Sequence, residues 1–277
     1  MEKINICHKA LFHSKICFWI FFSIVLLNAN IPFMLAEEAV EMVTDRPDQT
    51  DSPSTVPPGY VQLEMGGLFV NEEFSRGGTD FDLETLSLAA TLVRIGITPA
   101  LEFRISGEFT QETLTYNRFV RRNSGLSGIA AGAKIKLTEE KGWLPESAFL
   151  VELELPVGHE EFRPSEVQPT MRFTAAHTFS EAISLGYNLG GAWDLDTRNA
   201  TFLYTTSLGV SFAEKWGMFY ELFGDFNSDA ENRHSFDLGG TYLLHRNVQL
   251  DAAAGYGLNE AADDWFFLVG MTFRLPQ

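Results

Sequence analysis

Hydrophobic and polar side chains alternate along residues 101–110, and this pattern predicts a β-strand with two unlike faces. Leu101, Phe103, Ile105 and Phe109 lie on one face, while charged and polar residues lie between them. Ten residues at about 3.3 Å each, tilted by roughly 40°, rise about 25 Å, the height of the apolar band on a membrane barrel. The segment therefore has the period and the length of a membrane-crossing strand.

The same unit recurs to the C-terminus and predicts twelve strands. We place them at residues 60–70, 86–97, 101–110, 126–137, 147–156, 168–179, 182–193, 201–212, 216–226, 235–244, 248–257 and 264–274. Long connections are predicted at 71–80, 111–125, 158–167, 194–200, 227–234 and 258–263. Short connections are predicted at 98–99, 180–181, 213–215 and 245–247, with 138–146 as an exception. An even strand number with tight turns at one end and long loops at the other is typical of bacterial outer-membrane barrels.

Charged residues recur on one face of the predicted strands, and they decide which face can be the interior. This face carries Glu64, Glu102, Arg104, Glu108, Lys134, Lys136, Glu152, Glu154, Arg172, Glu221, Asp225, Asp237, Asp251 and Arg274. Burying these charges in a dry core would cost several kcal/mol per ion. A water-filled lumen removes that cost, and the apolar opposite face suits lipid. The predicted fold class is therefore all-β, a transmembrane antiparallel up-and-down barrel; a soluble all-β protein with reversed faces is the alternative.

Aromatic residues near the predicted strand ends support this orientation, because membrane barrels carry aromatic girdles at both interfaces. The girdle candidates are Trp193, Trp216, Tyr220, Tyr242, Tyr256, Trp265 and Phe273.

The charged face allows two interpretations of the lumen. In one, acids and bases pair across strands and close the interior. In the other, they line a narrow path for a solute, and nine acids against five bases favour cations or neutral compounds. Twelve strands enclose a narrower lumen than the 16–18 strands of porins. We therefore expect a restrictive channel or a specific transporter, with the charged residues along its solute path.

The N-terminus has the pattern of a signal peptide over residues 1–36. Lys3, Lys9 and Lys15 precede a 12-residue apolar core at 16–27. Twelve residues are too few for a spanning helix, although an uncleaved anchor is the alternative. The prediction is export to the outer membrane of a Gram-negative-type cell, with residues 60–277 as the barrel.

Residues 37–59 separate the signal peptide from the barrel and contain the stretch TDRPDQTDSPSTVPPG. Pro47, Pro53, Pro57 and Pro58 exclude a helix or a central strand. Two interpretations remain open: a disordered periplasmic leader, and an extended segment that folds into the barrel mouth as a plug.

Composition and residue spacing argue against several classes of function. Both cysteines, Cys7 and Cys17, precede residue 37, so the mature chain is predicted to have no disulfide or cysteine-bound metal. Removing residues 1–36, with three lysines and one glutamate, changes the net charge from −17 to −19, which disfavours nucleic acid as a partner. No histidine has metal-ligand spacing, and no cofactor is expected. His177, the candidate for an outer-membrane hydrolase, is more simply an interfacial ring, so no enzyme is predicted.

Three stretches of the chain resemble a known family. They are TDRPDQTDSPSTVPPGYVQLEMG at 44–66, RIGITPALEFRISGE at 94–108 and VQLDAAAGYGLNEAADDWFFLVGMTFRL at 248–275. A fourth, SGLSGIAAGAKIKL at 124–137, is a looser match with Gly128 where the family usually has Asp. The sequence is similar to the outer-membrane barrels of the MetA-pathway of phenol degradation family.

The resemblance implies an outer-membrane location and passage of small hydrophobic or aromatic compounds. Outer-membrane lipid, the barrel-assembly machinery and a small-molecule solute are the expected partners. The chain departs from many such barrels because it ends in RLPQ, without the terminal aromatic residue presented to the assembly machinery. A structural or surface-interaction barrel that does not conduct is the alternative function.

Overall fold

The computed structural model describes residues 42–227 and 229–276, and twelve strands in these ranges form one closed antiparallel barrel. Each strand pairs with its neighbours in sequence, and β1 closes the barrel against β12. The strands are β1 Tyr60–Arg76, β2 Thr79–Thr98, β3 Leu101–Tyr116, β4 Phe119–Thr138, β5 Glu146–Glu154, β6 Gln168–Ser180, β7 Ile183–Asp194, β8 Asn199–Ala213, β9 Trp216–Asn227, β10 Arg233–His245, β11 Val248–Gly257 and β12 Trp265–Pro276. The predicted fold class is confirmed. Within the described ranges, no helix is long and apolar enough to cross a membrane.

Side chains alternate between the lumen and the outer surface along the two strands that close the barrel. Where β1 meets β12, Glu64 pairs in register with Thr272, and both residues are fully buried. Phe69 pairs with Phe267, whose side chain is exposed and contacts Trp265 on the outer surface. The buried side of the sheet is therefore polar and the exposed side apolar, as a barrel in lipid requires.

The barrel has two unlike ends. One end carries Tyr60, Pro276 and the short turns, and we call it the turn end; the opposite end is the loop end. In outer-membrane barrels short turns face the periplasm and longer loops face outward. The turn-end connections other than 139–145 have two residues, whereas four loop-end connections are longer and those at 77–78 and 117–118 are tight.

The predicted long loops at 71–80 and 111–125 are wrong. Strands β1–β4 are 16 to 20 residues long and continue through most of both regions, whereas β5–β12 have 9 to 15 residues. Tight turns at 77–78 and 117–118 join them, and Gly77, Gly78 and Asn117 have positive φ, as such hairpins require. The error arose because the outer face becomes polar there, which ended the lipid-facing pattern but not the strands.

The leader segment, residues 42–58, lies inside the barrel. The side-chain amide of Gln62 on β1 donates to the carbonyl of Val43 at 2.8 Å, and the amide of Val56 donates to Glu102 on β3 at 2.8 Å. Both contacts are near the turn end, so the two ends of the leader segment lie at the same end of the barrel. Gly96 has no side chain where the backbone of residues 56–57 passes, and a Cβ at this position would collide with it. Residues 37–41 and the predicted signal peptide are outside the described ranges.

Candidate solute path in the barrel lumen

Arg94 on β2 is the centre of a buried charge network near the turn end. Its guanidinium contacts Glu102 through two hydrogen bonds of 2.9 and 3.0 Å and Glu64 at 3.0 Å. It also lies 3.2 Å from Asp45 and donates to the carbonyl of Ser54 at 2.9 Å, so it binds the leader segment at two places. A bidentate contact of this kind fixes both partners in one geometry.

Asp45 of the leader segment joins three cations that would otherwise repel one another. Its carboxylate contacts Arg94, Arg104 and Lys134, with a distance of 2.8 Å to the Lys134 ammonium. Burial alone would raise the pKa of Asp45, but the three cations hold it well below its ordinary value. Lys134 also donates to the carbonyl of Ser52 at 2.6 Å. The leader segment thus supplies the charge that the wall of the barrel lacks.

A second leader carboxylate, Asp51, extends this network toward β6. It contacts Arg104 at 3.2 Å and Arg172 at 2.6 Å. Burial would raise the pKa of Asp51, and Arg172 and Arg104 together lower it below its ordinary value. Arg104 also lies 3.3 Å from Glu152, which links the network to β5.

The middle of the leader segment reaches the wall formed by β1 and β12. Arg46 lies 3.1 Å from Asp251 on β11, and its guanidinium fills the space above Gly66 and Gly270. These two glycines are register partners, and a Cβ at either would collide with the guanidinium. The absence of both side chains therefore creates the space that Arg46 occupies.

The contact with β9 and β10 has a different chemistry, because carboxyl groups face carboxyl groups. The amide of Gln49 donates to Glu221 at 2.7 Å, and Thr50 donates its hydroxyl to the same carboxylate. Glu221 pairs in register with Asp237, and both are fully buried. Neither oxygen of Asp237 accepts a hydrogen bond from the described residues. Burial and the charge of Glu221 raise the pKa of Asp48, the leader residue beside this pair, well above its ordinary value.

Beyond the leader segment, toward the loop end, part of the lumen wall is apolar. Leu268, Phe219 and Ala253 form a buried cluster against Leu68, and Phe266 contacts Phe223 edge to face at 5.9 Å between ring centroids. We call this set the inner apolar patch; its residues are Leu68, Phe219, Phe223, Ala253, Phe266 and Leu268. It faces the lumen, since Leu68 and Leu268 follow Gly66 and Gly270 on the side of the sheet that Arg46 occupies.

The structure brings most of the predicted path residues into contact with the leader segment, while their role in passing a solute stays a prediction. Those that contact it or one of its direct partners are Glu64, Glu102, Arg104, Lys134, Lys136, Glu152, Arg172, Glu221, Asp237, Asp251 and Arg274. Lys136 lies 2.9 Å from Glu146, which accepts a hydrogen bond from Ser54 of the segment. Arg274 donates at 2.9 Å to Gln62, which in turn donates to Val43.

The remaining path candidates, Glu108, Asp225 and Glu154, lie apart from the leader network. Glu108 accepts hydrogen bonds from Thr110 and Ser127 further along the lumen. Asp225 pairs with Arg233 at 3.0 Å near the loop end. Glu154 pairs in register with Ala130 and Gln168, at the loop end of β5.

Sequence reasoning missed the central cation, Arg94, and the two leader acids, Asp45 and Asp51. The lumen face of β2 shows Leu92, Arg94 and Gly96 in succession, which is not a polar pattern. The hairpin offered a usable signal, because counting outward from its turn places Arg94 near Arg104 on the same face. Two arginines in that position require a carboxylate between them.

His177 lies on the outer surface of β6, with Phe179 and Tyr187 each 6.2 Å away between ring centroids. Its Nδ1 is 3.9 Å from a carboxylate oxygen of Glu140. In residues 42–227 and 229–276, no group of three or more histidine, cysteine, aspartate or glutamate side chains is arranged to hold a metal ion.

The closed twelve-stranded barrel, with an apolar outer surface and a polar lumen, defines this protein as a β-barrel of the outer-membrane type. Residues 44–275 match the family described as "Putative MetA-pathway of phenol degradation", and the chain belongs to that family. The match begins inside the leader segment and continues through β12.

Two solved structures support the fold. The chain is similar to an outer membrane channel from Pseudomonas putida F1, with 11% identity and a TM-score of 0.60 over 80% of this chain and 97% of that one. It is also similar to the translocator domain of the autotransporter NalP from Neisseria meningitidis, with 11% identity and a TM-score of 0.53 over 78% and 88% of the two chains. No curated protein sequence matches this chain.

Proposed function

We propose that this protein is an outer-membrane channel or transporter of restricted conductance for small apolar or aromatic compounds. The observation that carries the proposal is the inner apolar patch, an apolar surface inside a barrel whose other lumen residues are largely charged or polar. Family membership and the shared fold with a solved outer membrane channel add support.

Restriction follows from the position of the leader segment. It is bound to β2, β3 and β4 through Asp45 and to β9 through Gln49 and Thr50, so it reaches across the lumen. Most lumen charges on the β1–β6 side are paired with it or with one another. A hydrated ion therefore meets few free charges, and the inner apolar patch offers nothing to replace its water shell. An apolar solute has no such shell to lose.

Uptake of N-phenyl-1-naphthylamine by intact cells tests the proposal, because this apolar aromatic dye fluoresces once it enters membrane. Cells that produce the protein should take up the dye faster than cells without it. Phe266→Ser, in the inner apolar patch, should remove most of that gain. Phe267→Ser is the matched control, since its ring is exposed on the outer surface one residue away. Equal uptake with and without the protein would overturn the proposal.

A structural or surface-interaction barrel without transport is the second candidate. The observation that favours it is the number of charged contacts that hold the leader segment in the lumen. This candidate predicts no conductance and no gain in dye uptake, with loop deletions affecting adhesion instead.

We further propose export through the signal peptide at residues 1–36 and insertion into outer-membrane lipid by the barrel-assembly machinery. We expect a small solute to be the diffusible partner, with no role for nucleic acid and no catalytic activity. Folded barrels show a heat-dependent shift in gel mobility. Measuring this shift on the outer-membrane fraction tests the proposed outer-membrane location. Recovery of the mature chain from the periplasm without detergent would contradict it.

A further inference from the structure

The loop ends of β1–β4 extend beyond the part of the barrel whose outer surface is apolar. On the outer surface, Phe69 and Leu86 are followed toward the loop end by Asn71 and Glu84. The polar side chains continue on each strand, and Asn71 donates to Asp82 at 2.9 Å. Since this surface would be costly to bury in hydrocarbon, we place the extension outside the membrane, in water. We call it the rim sheet, residues 71–85 and 111–124.

Four aromatic rings form a row across the rim sheet. Phe74 stacks on Phe81 at 5.1 Å between centroids, Phe81 lies 5.3 Å from Tyr116, and Tyr116 lies 5.6 Å from Phe119. Each neighbouring pair is also a register pair, so all four rings lie on one face. Phe74 and Phe119 are exposed, and we call the row the aromatic ladder.

This face is continuous with the lumen. On β1, Glu64, Gly66 and Leu68 face inward, and the same alternation brings Phe74 to the inner side. The inner face of the rim sheet thus carries the aromatic ladder at its tip and, below it, apolar side chains beside Glu72, Glu112 and Arg121. A water-exposed apolar surface that faces the mouth of a barrel has no role in holding the protein in lipid.

Apolar side chains connect the aromatic ladder to the inner apolar patch. Leu83 and Leu114 are register partners on the same face, two residues below Phe81 and Tyr116. Val70 on β1 continues this face and pairs with Phe266, which belongs to the inner apolar patch. The inner face of the rim sheet therefore presents at least one apolar side chain at each level from its tip to the lumen, with polar or charged side chains beside it on the neighbouring strands.

We propose that the aromatic ladder is an external binding site for flat aromatic solutes, which pass from it along Leu83, Leu114 and Val70 to the inner apolar patch. This inference rests on the proposed function and adds the place where the solute is first bound. A flat ring stacks on exposed Phe and Tyr rings with the same offset geometry that these rings adopt among themselves. Because the aromatic ladder is continuous with the lumen, only a solute small enough to enter the lumen can pass on from it.

Dye uptake measured as a function of external concentration tests the site. The double variant Phe81→Ser, Tyr116→Ser should reduce N-phenyl-1-naphthylamine uptake at least fivefold at low concentration and approach the wild type at high concentration. Ion conductance in planar bilayers should be unchanged. Val120→Ser is the control, because Val120 is an exposed apolar residue beside Phe119 on the opposite face. An uptake curve identical to that of the wild type would overturn the proposal.

Photolabelling separates failure of this site from failure of the proposed function. Folded barrels in nanodiscs are illuminated with 1-azidonaphthalene, and the labelled peptides are identified by mass spectrometry. Labelling of residues 71–85 and 111–124 that the double variant loses would support the site even if the wild-type protein gave no gain in uptake. Absence of that labelling would overturn it. A wild-type dimer that becomes monomeric in the double variant would also overturn it, by making the ladder a self-association surface.

Discussion

Arg94 and Arg104 lie directly opposite each other on β2 and β3, and one carboxylate of Asp45 contacts both guanidinium groups. Two like charges in register on one face destabilise a sheet unless a counter-charge lies between them. Here the counter-charge comes from outside the sheet, from the leader segment. Without the leader segment, Arg94 and Arg104 would have no carboxylate between them. Without the wall, Asp45 would be buried without the cations that it contacts.

Asp45→Asn should loosen the leader segment, because it removes the anion shared by three buried cations. Breaking a buried ion pair by removing one partner costs about 3–5 kcal/mol. We expect hydrogen exchange in residues 42–58 to become much faster while the strands keep their protection. Asp48→Asn is the matched control, since it removes a carboxyl from an acid-rich contact and should leave the protection equal or higher. Equal protection in wild type and Asp45→Asn would contradict the role given to Asp45.

The middle of the leader segment, residues 46–50, should bind the barrel wall more tightly in acidic than in alkaline solution. Burial and Glu221 raise the pKa of Asp48 well above its ordinary value, so the seated segment favours the protonated form. The stabilisation that this proton provides is complete below the ordinary pKa of 3.8 and is lost as pH rises through the raised value. The charged groups around this contact are Glu221 on β9, Asp237 on β10, and Asp45 and Arg46 of the leader segment, Arg46 being paired with Asp251.

Hydrogen exchange of residues 46–50, corrected for the intrinsic effect of pH, measures this dependence from mildly acidic to mildly alkaline solution. Protection should fall as pH rises in the wild type. The double variant Glu221→Gln, Asp237→Asn should show a much weaker dependence, because neutral amides replace the acids that face Asp48. A wild-type protection that is flat or rises with pH would refute the prediction.

Gly66→Ala should displace Arg46 from its place above the sheet, because the new methyl group would collide with the guanidinium and with the carbonyl of Val269. The pair between Arg46 and Asp251 should weaken, with faster exchange around residue 46. Gly67→Ala is the control, since its Cβ would have only an ordinary contact with the Ser87 carbonyl at 3.4 Å. If hydrogen exchange around residue 46 is equal in the two variants, the space above Gly66 and Gly270 does not fix the position of Arg46.

Replacing residues 42–56 with a glycine–serine linker of equal length should raise single-channel conductance several-fold, since the linker cannot pair with Arg94, Arg104 and Lys134. The heat-dependent gel shift checks that the barrel still folds. Unchanged conductance in a folded replacement would show that the leader segment does not restrict the lumen. Arg104→Gln, Lys134→Gln in the linker background keeps the test valid if unpaired cations prevent folding.

The fold could be predicted because alternation and strand number depend on local sequence. The rim sheet could not, since its outer face is polar and the lipid-based pattern ends at Asn71 while the strands continue. Arg94 was missed because its neighbours on the lumen face are Leu92 and Gly96. The network around it depends on Asp45, about fifty residues earlier, and no periodicity connects a proline-rich segment to the strand that it contacts.

Single-channel conductance of the refolded mature barrel in a planar bilayer, before and after addition of 2-naphthol, is the decisive measurement of a restricted lumen that admits aromatic solutes. We expect small, discrete steps that 2-naphthol reduces reversibly, because the aromatic solute and ions share a lumen narrowed by the leader segment. Large, porin-like steps that 2-naphthol leaves unchanged would contradict this function. A folded barrel that neither conducts nor accelerates dye uptake would also contradict it, and would favour the structural barrel.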